Sequence, residues 1–181
     1  MDFVNIDKNL PNGENMGGLA QYVIFGLWAD VLTWPAAPPS SGSIEDFGAW
    51  VGDLVMKAGK RAFTFYCTDE TAELKFVPVG EKDGKSFRAE LTIYNPGLKK
   101  KILGFMAAAK NENLFFIPTD QEGQRYLLGD SLRAAKFESG DVGTGRAIGD
   151  RKGASLTFTF PTNTPRVYVG DVTTLLGESS G

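Results

Sequence analysis

"GEKDGKSFRAELTIYNPG", residues Gly80 to Gly97, decides between two folds. Gly84-Lys85-Ser86 matches the tail of a phosphate-binding loop, which would make the chain a nucleotide-binding α/β protein. That loop reads G-x-x-x-x-G-K-[ST], and its last glycine opens a helix whose amides hold the phosphates. Here Gly80 stands one residue too close, and the residues that follow are extended rather than helical. Phe87, Ala89, Leu91 and Ile93 alternate with Arg88, Glu90, Thr92 and Tyr94, the period of a half-buried strand. Val77-Pro78-Val79 ends a similar run upstream, and Asp83-Gly84 offers the positive φ of a tight turn. The stretch predicts a β-hairpin and no nucleotide.

The alternation extends in both directions. In "AFTFYCT", residues 62–68, Phe63, Phe65 and Cys67 share one face. Leu74 and Phe76 alternate with Glu73 and Lys75, and Leu156, Phe158 and Phe160 alternate with Ser155, Thr157 and Thr159. "NLFFIPTD", "RYLLGDS", "LRAAKFESG" and "TPRVYVGDV" supply further strands between turn signals. "AQYVIFGLW", Ala20 to Trp28, is apolar on both faces, so it belongs between two layers or against another subunit. One helix stands out over residues 96–110. Asn95 can cap it, Pro96 suits its first turn, and Leu98, Ile102, Phe105, Met106 and Ala109 line one face. Ile44, Phe47, Trp50 and Val51 recur at near-helical spacing behind Ser43, but Gly48 and Gly52 weaken that helix. The pattern predicts a mainly β chain of eight or nine strands: a β-sandwich or partly closed β-barrel with one flanking helix.

Composition narrows the chemistry. The 181 residues fit one domain, 42% of them are hydrophobic, and the formal net charge is -3. No basic groove for nucleic acid is advertised; Lys99-Lys100-Lys101 reads as a solvated helix flank. There is no histidine. This removes the usual general base and the commonest metal ligand, and with them the ordinary serine and cysteine triads and most zinc sites. No cofactor, metal or catalytic residue is expected. Cys67, the single cysteine, cannot form an internal disulfide and reads as a small core residue. The start at Met1-Asp2-Phe3 shows no secretory pattern, and no apolar run is long enough to span a bilayer.

The remaining segments read as arms and loops. Residues 1–19 form an entry arm; the spacing in "DKNLPNGEN" fails the calcium-loop pattern. Residues 33–43, "TWPAAPPSSGS", form a proline-rich excursion that reads either as a surface loop or as an arm reaching a neighbour. The stretch 139–153, with Gly143, Gly145 and Gly149, misses the dinucleotide fingerprint because its third glycine comes one place late; it reads as a long flexible loop. Residues 173–181 form a tail.

"GDLVMKAGKRAFTFYCTDETAEL", "GEKDGKSF", "LLGD", "GTGRAIGDRKGASLTFTF" and "PRVYVGDV", in that order, resemble the tail tube proteins of phages and prophages of Bacteroidetes-type bacteria. "NMGGLAQYVIFGLWADVLTWP" is similar as well, so the resemblance spans most of residues 15–172. It implies a fold like the type VI secretion tube protein, and a virion subunit forming stacked rings, usually hexameric. Double-stranded DNA would pass through the bore, with other tail proteins as partners. No catalytic residue comes with it. The proline-rich excursion departs from the pattern and leaves room for a tail terminator or connector ring. Candidate inter-subunit residues are Tyr22, Ile24, Phe25, Trp28, Trp34, Pro35, Pro38, Pro39, Gly143 and Gly145. Mild acidity with mixed signs suits a bore in which DNA must slide.

Two other functions compete. A carbohydrate- or receptor-binding β-sandwich could use Trp28, Trp34, Trp50, Tyr66 and Tyr94 as stacking platforms. An enzyme would have to rely on carboxylates such as Glu90, Asp150, or Asp130 beside Arg133, whose spacing marks no acid/base pair.

Overall fold

The computed structural model describes residues 3–7 and 15–177. The expected arm over 1–19 and tail over 173–181 therefore lie partly outside the described residues.

The longest elements are built by the alternation. β5 (Glu73–Val79), β6 (Ser86–Pro96), β9 (Lys136–Gly143) and β10 (Gly153–Thr162) form a four-stranded antiparallel sheet in the order β5-β6-β10-β9. Its inner face carries Ala89, Leu91, Ile93, Ala154, Leu156, Phe158 and Phe160, all buried. The Gly80–Gly97 stretch is a hairpin as predicted, with Val79 opposite Ser86. The positive φ falls on Asp83 and Gly80, however, not on Gly84. β5 is an edge strand, which explains how it tolerates Pro78.

β1 (Tyr22–Leu27) lies between β4 (Phe63–Tyr66) and β7 (Leu114–Ile117) in a second, three-stranded antiparallel sheet. Both faces of this sheet are covered. Val23, Phe65, Cys67, Leu114 and Phe116 join the four-stranded sheet's inner face in one core. Ile24, Phe115 and Ile117 point the other way, into a second core with Trp50, Leu54, Leu127, Tyr168 and Leu175. This is the physical reason for a β1 that is apolar on both faces: it is the central strand of a middle layer.

Short elements close the second core: β2 (Val31–Thr33) pairs with β3 (Val55–Met56), and β8 (Arg125–Tyr126) with β11 (Val167–Tyr168). Helix α1 (Ile44–Phe47) starts at Ser43, whose hydroxyl and backbone amide engage Asp46 in a capping box. Helix α2 (Lys100–Ala109) packs Ile102 and Ala109 into the first core, where Phe105 meets Phe25, Phe65 and Phe158 edge-on or tilted.

The structure is a β-sandwich-like fold with a flanking helix, and no sheet closes into a barrel. Eleven strands are described instead of eight or nine, because several have only two or three residues. Helix α2 begins four residues later than expected. Asn95 and Pro96 remain in β6, paired with Ala154 and Gly153, and the Asn95 side-chain amide donates to the Tyr66 carbonyl instead of capping. Strand pairing outweighed the Asn-Pro start signal. The glycine-rich loop is also shorter, since 139–143 belong to β9 and Gly143 pairs with Gly153. Leu175 is buried in a short 3-10 turn, so the chain stays packed beyond residue 173.

Candidate assembly surface

Among the described residues, the outer face of the four-stranded sheet is covered only at its Tyr94 end, where Arg151 lies over the Tyr94 ring and the Tyr94 hydroxyl donates to the Lys152 carbonyl. It carries Glu73 and Lys75 on β5, Arg88, Glu90, Thr92 and Tyr94 on β6, Ser155, Thr157 and Thr159 on β10, and Ser139 and Asp141 on β9. Opposite charges neutralise each other locally: Lys75 meets Glu73 at 2.9 Å and Arg88 meets Glu90 at 2.8 Å. Across strands, the Thr92 and Thr157 hydroxyls lie 3.1 Å apart and Thr159 donates to Glu138 at 3.3 Å. Such exposed pairs add little stability, but they leave a smooth polar surface with no basic track.

Among the described residues, both edges of this sheet are open, β5 on one side and β9 on the other. Each is locally blunted: Pro78 lacks an amide, and β9 has a bulge between its pairings to Thr157 and Phe158. All three pairings are antiparallel, so β5 and β9 run in opposite directions.

The nominated contact residues separate into two groups. Ile24 is only 8% exposed, Pro35 and Pro38 are also buried, and Phe25 stands among the rings of Phe63, Phe105 and Phe116. These four are occupied within their own chain. The excursion over 33–43 is tied down as well. Ala36 and Val51 exchange backbone hydrogen bonds at 2.8 and 2.9 Å, and Trp34 stacks edge-on against Phe115 at 6.0 Å. Trp28 is half-buried and donates its indole N–H to the Asp130 carbonyl at 2.7 Å. Tyr22, Pro39, Gly143 and Gly145 are exposed. Tyr22 sits edge-on to Tyr66, its partner on β4.

The loop between β9 and β10, residues 144–152, is shaped from within. The Asp150 carboxylate accepts from the amides of Arg146 and Ala147, both at 2.8 Å, and these bonds pull its pKa down. Gly145 adopts φ +73°, and a Cβ there would fall 2.5 Å from that of Asp150. The tip, Ile148, is fully exposed.

The other chemical candidates have structural roles. Cys67 is fully buried, and burial pushes its thiol up to about 11, so it is no nucleophile at neutral pH. Asp130, nearly buried, accepts from the Leu132 and Arg133 amides and bridges to the Arg133 guanidinium at 2.6 Å, which organises a turn. Glu90 is paired with Arg88. Trp50 is buried beneath the Arg166 guanidinium, 5.0 Å from its ring centre, and so is no open stacking platform. No group of three metal-ligating side chains occurs among the described residues, and no helix there is long and apolar enough to cross a membrane.

Sequence reasoning missed Arg166, which is 8% exposed and donates to the Phe47 carbonyl, and Tyr168, whose hydroxyl accepts from the Leu54 amide at 3.0 Å. It also missed Ile148. The signal there was a lone branched aliphatic in an otherwise polar "GTGRAIGDRKG". Comparison with protein-family models, curated proteins and solved structures finds no match for this chain.

Proposed function

We propose that this chain is a self-assembling structural subunit, a phage tail tube protein whose rings stack into a conduit for double-stranded DNA. The observation that carries the reading is the four-stranded sheet, open at both edges among the described residues, with one face on the core and the other polar and largely uncovered. A head-to-tail contact would set β9 of one copy beside β5 of the next. With an even number of antiparallel strands per copy, strand direction keeps alternating across that contact. A rotation that closes the ring then yields one continuous antiparallel barrel with no edges. Pro78 and the β9 bulge confine the pairing to residues 73–77 and 139–143.

The polar face suits the wall of a bore. Four of its charges, Glu73, Lys75, Arg88 and Glu90, are paired in place, and a wall without a basic track gives phosphates little to hold. The sequence resemblance to tail tube proteins points the same way. In this reading the protein resides in the virion tail and has no catalytic role.

Negative-stain electron microscopy over a concentration series tests this. Stacked rings or tubes with a central hole are the expected result. Single unstacked rings would reassign the chain to a terminator or connector. A species that stays monomeric at every concentration would overturn the reading, and glycan binding by that dilute monomer would favour a carbohydrate-binding module.

A further inference from the structure

A cleft of about 650 Å³ opens beside the β5 edge. Leu19, Leu74 and Phe76 give it an apolar floor, and Glu73, Asp120 and Glu122 give it an acidic rim. Glu73 is already paired with Lys75. Asp120 and Glu122 have no cationic partner among the described residues; their carboxylates accept only from backbone amides and from the Tyr126 hydroxyl. Among the described residues, the one cation lining the cleft, Arg166, is largely buried over Trp50.

The β9–β10 loop is its complement. Ile148 projects fully into solvent between Arg146 on one side and Arg151 and Lys152 on the other. Arg146 and Lys152 have no carboxylate partner among the described residues, and Arg151 lies over the Tyr94 ring, 5.6 Å from its centre. The Asp150 bonds fix the loop before any contact, so little ordering entropy opposes docking. Within one copy the loop borders Glu70 and Thr71 but lines no part of the cleft, and β6 and β10 lie between the β5 and β9 edges of the sheet. Loop and cleft nevertheless belong to the same end of it: Glu73, where β5 begins, is opposite Thr92, near the end of β6 that pairs with Gly153.

We infer that the β9–β10 loop of one copy docks in the cleft of the next, with Ile148 on the apolar floor and the loop's cations against Asp120 and Glu122. The contact is heterologous: each copy offers one loop and one cleft, which sets the direction of assembly. It rests on the self-assembly reading only in taking a second copy as the occupant.

Directed disulfide cross-linking tests it in the full chain, on a Cys67→Ala background. Ile148→Cys in one preparation is mixed with Gln124→Cys, on the cleft wall, in another. Mild oxidation should give a cross-linked dimer of the two proteins and nothing larger. A chain carrying both cysteines should give a ladder. Separately, Arg146→Glu should weaken self-association about tenfold, and Glu122→Arg added to it should restore much of the loss. If sedimentation shows assemblies but no mixed cross-link forms, the docking is wrong and the assembly reading stands. If sedimentation shows only monomer at every concentration, both fall.

Discussion

The two cores on either side of β1 are held by different means. The first lies under long ladders: β6 and β10 run in register over ten residue pairs, and their buried side chains alternate without a break. The second is enclosed by strands of two or three residues and by single side-chain anchors, such as Tyr168 to Leu54 and Arg166 over Trp50. Long ladders tie the stability of many residues together, whereas a region of short pairings and side-chain ties can open piecemeal. The first core should therefore unfold only with the whole molecule, and the second should loosen first.

Phe158→Ala is the most severe way to probe this difference. Its ring touches Phe116, Phe137 and Phe105, so truncation should cost about 3–5 kcal/mol in urea denaturation. A loss under about 1 kcal/mol would mean that this core is not the dominant one. Next in size is an alkaline effect at Cys67. Burial raises the folded-state pKa from its ordinary 9.0 to about 11, which favours the thiol. The associated stability is complete below about pH 9 and is lost as pH rises through 11, on the order of 2 kcal/mol in all. Denaturation midpoints from pH 8 to 11 should fall more steeply in the native protein than in Cys67→Ala; parallel curves would count against a buried thiol.

Tyr168→Phe should cost about 1 kcal/mol by leaving the Leu54 amide without its acceptor. Native-state hydrogen exchange sharpens the comparison here. Amides of β2, β3, β8 and β11 should speed up, while those of β6 and β10 hold; equal acceleration everywhere would erase the distinction between the cores. The smallest change is Asp150→Asn, which should speed exchange at Arg146 and Ala147 without moving the global midpoint. In the native protein the same loosening should come as pH falls through the lowered Asp150 pKa, since only the carboxylate form accepts both amides well.

The same division governs what could be read from the residues alone. Ser86 to Tyr94 and Ser155 to Phe160 declare themselves, because a strand exposed on one face must alternate. The both-sided apolarity of Ala20 to Trp28 correctly left burial between layers as one of its two meanings. Lys100 as the start of α2 was hidden, since no side chain caps it and the pairing of Pro96 with Gly153 is decided 57 residues away. The cleft was hidden for a similar reason: its walls come from residues 15–19, 73–76, 120–126 and 165–167, and no local pattern joins them. The loop opposite it was visible as glycine-rich, but its order depends on Asp150 reaching back four residues.

The central position of β1 also has a consequence for how the protein is made. Its two neighbours are β4 and β7, and Leu27 waits for Leu114, about 90 residues further along the chain. At ribosomal speeds of about 5–20 residues per second, that gap lasts on the order of 5–20 seconds. Throughout it, a strand that is greasy on both sides has been synthesised and has only half its shelter. The interval is one in which holdase chaperones have a target, and a synonymous-codon change that slows translation between residues 30 and 114 would lengthen it.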